Sequence, residues 1–308
     1  MMVLGIDTSN YTTSVAVFDG VNGHNVSRLL DVEQGSLGLR QSDALFAHVN
    51  RLPEFTDRLF SDIGKVELSA IGVSTRPRAV EGSYMPCFLA GESQARVLGA
   101  TLGVPVYAFA HQQMHVAASL FASDTMELMD QPHLAWHLSG GTTELLYVTP
   151  EGRNVHCEKI GGTSDISAGQ LIDRTGKLLD LSFPSGREID ALSQQATDKQ
   201  TFRVKVKDIT FSLSGVQNKV EQYHKGNASE TAGFALRCVI GAIIEATMQA
   251  LERYPKCKVV FAGGVASNSM LRYACAKLPA VFCPPEFARD NALGTAVLAW
   301  RELNGSHL

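Results

Sequence analysis

The sequence predicts an α/β fold, because apolar strand segments alternate with helical segments and because one strand–turn–strand pattern occurs twice. In its first occurrence, the strand Val3–Ile6 enters a turn of small hydroxyl residues and Ser14–Phe18 returns as the second strand. In its second occurrence, His133–Leu138 enters a turn at 139–143 and Glu144–Val148 returns. Each half of the chain therefore holds one hairpin of the same design.

The other periodic segments complete both halves. Apolar residues at helical spacing predict helices, and short apolar runs predict buried strands. In chain order we predict a helix over Leu45–Phe60, a strand over Ala70–Val73, a helix over Leu89–Thr101, a strand over Val104–Phe109, a polar helical insertion over 163–200, a strand over Lys258–Ala262 and a final helix over Ala292–Leu303.

Two such hairpins are what a duplicated actin-like ATPase of the ASKHA, ribonuclease H-like class needs, since each turn can present backbone N–H groups to phosphate across a central cleft. We therefore predict a first lobe over 1–108, with the C-terminal helix 292–308 packing back on it. The second lobe is predicted over 109–291 and contains the insertion. Pattern alone leaves a second interpretation open, namely two unrelated hairpins in one doubly wound sheet.

Composition excludes several classes of protein. The chain has no uninterrupted apolar run of about 20 residues, so we predict no membrane span. Its start lacks the basic region and cleavage site of a signal peptide. The six cysteines form no Cys-x-x-Cys pair, which predicts reduced, mostly buried thiols in a cytoplasmic protein. A net charge of −4 gives no global footprint for nucleic acid, so any RNA contact must be local or assisted by a partner.

Two pairs of histidines share a spacing of four residues but differ in predicted context. His111 and His115 open a helix, which brings their imidazoles to one face about 6 Å apart and lets both bind one metal ion. His133 and His137 lie in a strand, where the same spacing is about 13 Å and too long for one ion. We interpret the second pair as structural or exposed. For the first pair, hydrogen bonds to loop carbonyls remain the alternative.

A zinc protease is excluded, because it needs a glutamate as general base directly after the first histidine, and Gln112 stands there. Asp290, at the start of the final helix, is a possible third metal ligand. It is equally a helix N-cap, a position that favours aspartate.

Glycine turns and one carboxylate are the candidate nucleotide contacts. The turns Ser139-Gly140-Gly141-Thr142-Thr143 and Gly263–Asn268 let the backbone approach a phosphate or a purine closely, although ordinary tight turns look the same. In the insertion, Asp173 could hold ribose hydroxyls, or it pairs with Lys177 on a solvated helix face.

The segment Phe202–Lys207 alternates apolar and basic residues. It predicts a strand that buries Phe202, Val204 and Val206 and exposes three cations, Arg203, Lys205 and Lys207. These cations could contact the phosphate backbone of a tRNA, or they could protect a sheet edge from aggregation.

The order of these pieces resembles the TsaD/Gcp family, once called glycoproteases, along nearly the whole chain. The matching stretches are Leu4-Gly5-Ile6-Asp7-Thr8-Ser9, His111-Gln112-Gln113-Met114-His115, Ser139–Leu145, Gly169–Leu179, Phe183-Pro184-Ser185-Gly186, Phe211-Ser212-Leu213-Ser214-Gly215, Gly263–Asn268, Pro284-Pro285-Glu286-Phe287 and Asp290-Asn291.

The resemblance implies a duplicated actin-like fold and transfer of a threonylcarbamoyl group from its AMP mixed anhydride to the N6 amine of a tRNA adenosine beside the anticodon. It implies one divalent metal ion, iron or zinc, held by His111, His115 and Asp290. It implies an adenine nucleotide site, drawn from Ser139, Gly140, Gly141, Thr142, Thr143, Asp173, Gly186, Asp190 and Asn268. The implied partners are tRNA, a smaller paralogue of the same fold and a P-loop ATPase.

Three positions depart from the family pattern. Asn10-Tyr11-Thr12 stands where the family usually has Cys-Asp-Glu, Arg76-Pro77-Arg78 where it has Gly-Pro-Gly, and Thr142 where it has His or Asn. The first two change the donor side of the cleft. They therefore leave two alternatives to the transferase: a nucleotide- and metal-binding regulatory paralogue, and a small-molecule carbamoyl or phosphoryl transferase on the same fold.

Overall fold

The computed structural model describes residues 1–9, 12–31, 39–285, 287 and 291–305. Its strands are β1 (Met2–Asp7), β2 (Thr12–Phe18), β3 (Gly23–Leu29), β4 (Leu68–Arg76), β5 (Val106–Ala110), β6 (His133–Leu138), β7 (Thr143–Glu151), β8 (Asn154–Thr163), β9 (Thr210–Phe211), β10 (Val259–Ala262) and β11 (Ala280–Phe282). Its α-helices are α1 (Gln41–Ile63), α2 (Phe88–Leu102), α3 (His111–Ala122), α4 (Ala168–Leu178), α5 (Gly186–Ser193), α6 (Ser214–Tyr223), α7 (Ala228–Arg253), α8 (Ser269–Ala274) and α9 (Leu293–Asn304).

The strands form two sheets that share one five-strand topology, to which the second sheet adds the short strand β9. The first sheet has the order β3-β2-β1-β4-β5, and the second has the order β11-β10-β6-β7-β8-β9. In each sheet an antiparallel meander, β1-β2-β3 or β6-β7-β8, is extended by two parallel strands, β4-β5 or β10-β11. The two predicted hairpins are thus equivalent in the fold, and the interpretation of two unrelated hairpins in one sheet is wrong.

Helix α9 returns to the first sheet, and a pair of glycines makes this possible. Gly5 of β1 and Gly72 of β4 are neighbours in register, so no side chain stands between these strands and the helix. A Cβ atom at Gly5 would lie 2.2 Å from the carbonyl oxygen of Ala292, and one at Gly72 would lie 2.2 Å from that of Thr295. The helix backbone therefore packs directly on the strand backbones.

A shared core joins the two sheets. Val3 of β1 and Phe18 of β2 belong to the same buried apolar cluster as Leu146 of β7, and α9 and α3 contribute side chains to it. Helices α3 and α9 also contact each other closely, because a Cβ atom at Gly294 would lie 2.1 Å from the carbonyl oxygen of Met114. The division into lobes at residues 108 and 291 stays a prediction.

Helix α7 is the central helix of the second core. By length and composition it could cross a membrane, but 61% of its most apolar window is buried inside the protein. It packs against α4, α5 and α6, and core helices of soluble proteins commonly have this composition. All six cysteines are buried, as their spacing predicts.

Candidate active site

Three imidazoles converge where the two sheets meet. Helix α3 begins with His111, and one turn later His115 brings its Nε2 to 3.0 Å from the Nε2 of His111. His137 of β6 lies against both rings. One ring nitrogen from each of the three histidines lies within 4.8 Å of the nitrogens of the other two. Three closely spaced imidazole nitrogens suit zinc or iron better than magnesium or calcium, which prefer oxygen ligands.

His137 corrects the sequence interpretation, which treated His133 and His137 as structural or exposed. His137 is only 6% exposed and belongs to the cluster. Its neighbours are the histidines of α3 rather than His133, whose Nδ1 lies 3.0 Å from the carbonyl oxygen of Gln131. Spacing within one strand could not reveal this contact, because the other two imidazoles come from a different element, the helix α3.

Asp7, at the end of β1, is a further residue of the site. It was not among the candidate site residues predicted from the sequence. Its carboxylate is fully buried, accepts a hydrogen bond from Ser9 Oγ at 2.7 Å and a second from Ser74 Oγ, and lies 3.4 Å from His111 Nδ1. A carboxylate beside the outer nitrogen of a histidine fixes its tautomer and leaves Nε2 for a metal ion. A buried aspartate directly after an apolar strand was the available signal.

Both glutamines of the His-Gln-Gln-Met-His segment have positioning contacts. Gln113 Oε1 accepts a hydrogen bond from the N–H of Ala110 at 2.8 Å and so caps α3. Gln112 Nε2 donates to the buried carboxylate of Glu144 at 2.7 Å. Gln112 therefore acts as a hydrogen-bond donor, in line with the exclusion of a peptidase base at this position.

The Ser139–Thr143 turn follows His137 by two residues and contacts the start of α4. Thr142 N donates to Ser139 Oγ at 3.1 Å, and Ser167 Oγ donates to the carbonyl oxygen of Gly140 at 2.6 Å. Gly169 permits this approach, since a Cβ atom there would lie 2.5 Å from Gly140 Cα. Gly140 and Gly141 are exposed, so a phosphate can approach the backbone of the turn.

The structure links the other predicted nucleotide residues through α4, α5 and α8. Asp173 Oδ1 of α4 accepts a hydrogen bond from Ser185 N, directly before Gly186. Asp190 of α5 accepts from Asn268 Nδ2 at 3.0 Å and from Ser269. An open surface depression of about 500 Å³ lies beside Ser269 and is lined in part by Gln194, Arg237 and Tyr273. None of the predicted nucleotide residues lines it.

Asp173 gives a prediction with a pH dependence. Burial raises the pKa of this carboxyl, and the Ser185 N–H opposes the rise only in part. The folded protein therefore binds this proton more tightly than the unfolded chain does, so the group costs stability as pH rises above the ordinary pKa of aspartate, about 3.9. We expect Asp173→Asn to raise the melting temperature by a few degrees at pH 7 and much less at pH 4, measured by calorimetry. An equal shift at both pH values would contradict this assignment.

The structure does not bring the predicted phosphate contacts Arg203, Lys205 and Lys207 into this network. The predicted strand over Phe202–Lys207 is wrong, since the segment is irregular and only Lys207 forms a β-bridge, with Thr210. Val204 and Val206 are buried as predicted, but Phe202 is 40% exposed. The ion pair of Arg203 is with Glu245 of α7.

Three predicted positions, Asn10, Tyr11 and Asp290, lie outside the described residues. The segment Arg76-Pro77-Arg78, which departs from the family pattern, lies within the described residues. Arg78 reaches across to the second sheet, where its Nη2 donates to Glu144 Oε1 at 2.6 Å.

Known proteins resemble this chain in sequence along most of its length. Residues 34–297 match the TsaD family model, described as tRNA N6-adenosine threonylcarbamoyltransferase. A protein of that name from Thermosipho africanus is 30% identical, over 98% of this chain and 94% of its own length. Another from Enterococcus faecalis is 29% identical, over 99% of this chain and 91% of its own length.

Solved structures share the fold at low identity. Full-length HypF, in a phosphate- and nucleotide-bound form, superposes with a TM-score of 0.64 at 15% identity over 99% of this chain. The match covers 47% of HypF, so this chain spans about half of that protein. A ROK hexokinase from Thermus thermophilus superposes with a TM-score of 0.57 at 17% identity, over 98% of this chain and 99% of its own. The predicted duplicated actin-like fold is confirmed.

Proposed function

This chain belongs to the TsaD family of tRNA N6-adenosine threonylcarbamoyltransferases, and we propose that it transfers a threonylcarbamoyl group from threonylcarbamoyl-AMP to the N6 amine of a tRNA adenosine next to the anticodon. The observation that carries the proposal is the cluster of His111, His115 and His137, two residues before the Ser139–Thr143 turn. A metal-binding group thus lies beside the turn suited to phosphate.

We propose that a divalent metal ion is held by His111, His115 and His137, with Asp290 as a further ligand. When bound, the ion would supply a Lewis acid that polarises the donor and stabilises negative charge developing on it. Asp7 orients the imidazole of His111 from behind, at 3.4 Å from Nδ1. The chemistry of the donor set supports this assignment, since all three side chains offer neutral nitrogen ligands.

The nucleotide part of the donor would occupy the network of α4, α5 and α8. The exposed backbone N–H groups of Gly140 and Gly141 can donate hydrogen bonds to the phosphate. The carboxylate of Asp173 can accept a hydrogen bond from a ribose hydroxyl in addition to the one from Ser185 N. These contacts hold the reacting carbonyl in place and exclude water, which is the main task when the leaving group is as good as AMP.

Transfer then needs no covalent intermediate with the protein. The N6 amine attacks the carbonyl carbon, a C–N bond forms, the bond from that carbon to the phosphate oxygen breaks and AMP leaves with the electron pair. The amine then gives up one proton to water. The cysteines fit this direct route, because burial raises the pKa of the Cys157 and Cys275 thiols to about 12 and keeps them protonated at neutral pH.

We infer that transfer also depends on partners, a smaller paralogue of the same fold and a P-loop ATPase. The test is complementation of a bacterial strain depleted of its own threonylcarbamoyltransferase, with these partners present and the modified adenosine measured in tRNA by mass spectrometry. We expect this chain to restore the modification. Absence of the modification, with the protein soluble and its partners present, would reject the transferase and favour the regulatory paralogue.

A further inference from the structure

A buried carboxylate beside the histidine cluster holds two cations. Glu144 is 3% exposed and accepts hydrogen bonds from Arg78 at 2.6 and 3.3 Å, and its Oε1 lies 3.0 Å from Lys159 Nζ. Its fourth contact is the amide of Gln112. Arg78 comes from the loop after β4 of the first sheet, whereas Glu144 and Lys159 lie on β7 and β8 of the second. The cluster therefore spans the boundary between the sheets.

The position of Glu144 places these cations beside the imidazoles. Glu144 pairs directly with His137 across β6 and β7, and side chains of directly opposed residues lie on the same face of a sheet. The loop that carries Arg78 is anchored to α3 as well, since the carbonyl oxygen of Pro77 accepts a hydrogen bond from Gln112 N at 3.2 Å. Arg78 is therefore fixed close to the start of the helix that carries His111.

Charge and exposure leave the two cations able to bind another group. One carboxylate cannot neutralise two cations, so the group formed by Glu144, Arg78 and Lys159 carries a net positive charge. Arg78 contacts Glu144 through Nε and Nη2, and within the described part of the chain no side chain accepts a hydrogen bond from its Nη1. The side chains of Arg78 and Lys159 remain 49% and 47% exposed. A planar guanidinium edge next to an ammonium group is a good match for a carboxylate or a phosphate.

We propose that Arg78 and Lys159, both held on Glu144, form an oxyanion-binding site at the mouth of the histidine cluster. Its ligand is an anionic group of the acyl donor, either the threonine carboxylate or the AMP phosphate, and in naming that donor the proposal rests on the proposed function. Glu144 is a positioning residue, because it fixes both cations and does not itself contact the ligand. Arg78 thus gives a role to one of the departures from the family pattern.

The test is isothermal titration calorimetry of the full-length, zinc-loaded protein with two probes, AMP and N-carbamoyl-L-threonine. We expect Arg78→Ala to weaken at least one of them by about tenfold, the effect of losing charge-assisted hydrogen bonds, and Lys159→Ala to weaken the same probe less. Arg78→Lys should recover part of the affinity. Arg96→Ala is the matched control, an exposed arginine of α2 that pairs with Glu92, and should bind both probes as the original protein does.

Glu144→Gln tests the positioning role. A glutamine amide has one oxygen acceptor where the carboxylate has two, so Arg78 and Lys159 lose part of their anchor and binding of the same probe should weaken roughly threefold or more. Melting temperatures of all variants establish that they are folded. A purely structural tie between the sheets would lower the melting temperature of Arg78→Ala without changing the affinity for either probe.

The probe that responds identifies the source of the oxyanion. Weaker AMP binding assigns the phosphate, and weaker N-carbamoyl-L-threonine binding assigns the carboxylate. Affinities of Arg78→Ala and Lys159→Ala within twofold of the original protein for both probes, or no measurable binding of either probe by the original protein, would overturn the proposal. The transfer assay on the same preparations separates the two hypotheses. If the original protein transfers the group but the variants bind both probes unchanged, only the oxyanion site is rejected. If the variants bind a probe more weakly but the original protein shows no transfer, only the proposed function is rejected.

Discussion

Replacing His111 or His137 by alanine is expected to lower the affinity for a divalent metal by about 100-fold or more, since even outer-sphere partners of metal ligands typically contribute 10- to 100-fold. Each variant removes one of the three nitrogens of the cluster, and the two imidazoles that remain hold an ion less tightly than three do. The measurement is cobalt binding followed by visible absorption, with the metal content of purified protein determined by elemental analysis. Transfer activity should fall in parallel.

The control for the metal-site variants is His156→Ala. His156 is an exposed histidine on β8, outside the described cluster, so its loss should leave cobalt affinity and spectrum unchanged. An unchanged metal content in His111→Ala would reject the metal assignment as a whole. An unchanged cobalt spectrum and affinity in His137→Ala alone would remove His137 from the ligand set and leave His111 and His115 in it.

Gly72→Ala is expected to destabilise the protein by about 1–3 kcal/mol or more, the usual cost of overpacking a core. Its new methyl group would lie 2.2 Å from the carbonyl oxygen of Thr295 and 2.8 Å from the carbonyl carbon, so a helix backbone rather than a flexible side chain must move. Because α9 packs on the end of the sheet that carries Asp7, we also expect weaker metal binding. Calorimetry and cobalt titration measure the two effects.

Gly241→Ala is the matched control for this packing prediction. Gly241 lies on an exposed part of α7, and no atom lies within 4 Å of the position its Cβ would take. Alanine there should stabilise the helix by about 0.5–1 kcal/mol. If Gly72→Ala and Gly241→Ala changed the melting temperature alike, direct backbone packing of α9 on β4 would not be the reason for glycine at position 72.

Much of the fold could be predicted from local pattern. The hairpins at 3–18 and 133–148, the helix at Leu45–Phe60 and the final helix all coincide with described elements. Their signals are short-range, because apolar periodicity reports which face of a single element is buried. The long helix α7 and strand β3 were not predicted, since the first is apolar around most of its circumference and the second is mostly exposed.

The segment Phe202–Lys207 shows why periodicity can mislead. Val204 and Val206 alternate with exposed residues as they would in a strand, but their burial is against α7, and Gln249 of that helix donates to the carbonyl oxygen of Val206. Asp208 and Ile209 then take positive φ values of 50° and 63°, which turn the chain back before a ladder can form. Buried and exposed side chains alternate in any extended segment that packs one side on the protein, whereas a strand also needs a hydrogen-bonded neighbouring strand.

Local pattern was sufficient to predict the two hairpins, the helical spacing of His111 and His115 and the glycine turns, because each depends on residues within one element. Packing of the whole chain brings His137 against that pair, Asp7 behind His111 and Arg78 to Glu144 across the two sheets. These contacts join residues from separate strands, loops and helices. Side-chain periods describe one element at a time and contain no information about which elements face each other, so the neighbours of a buried charge emerge only when the chain packs.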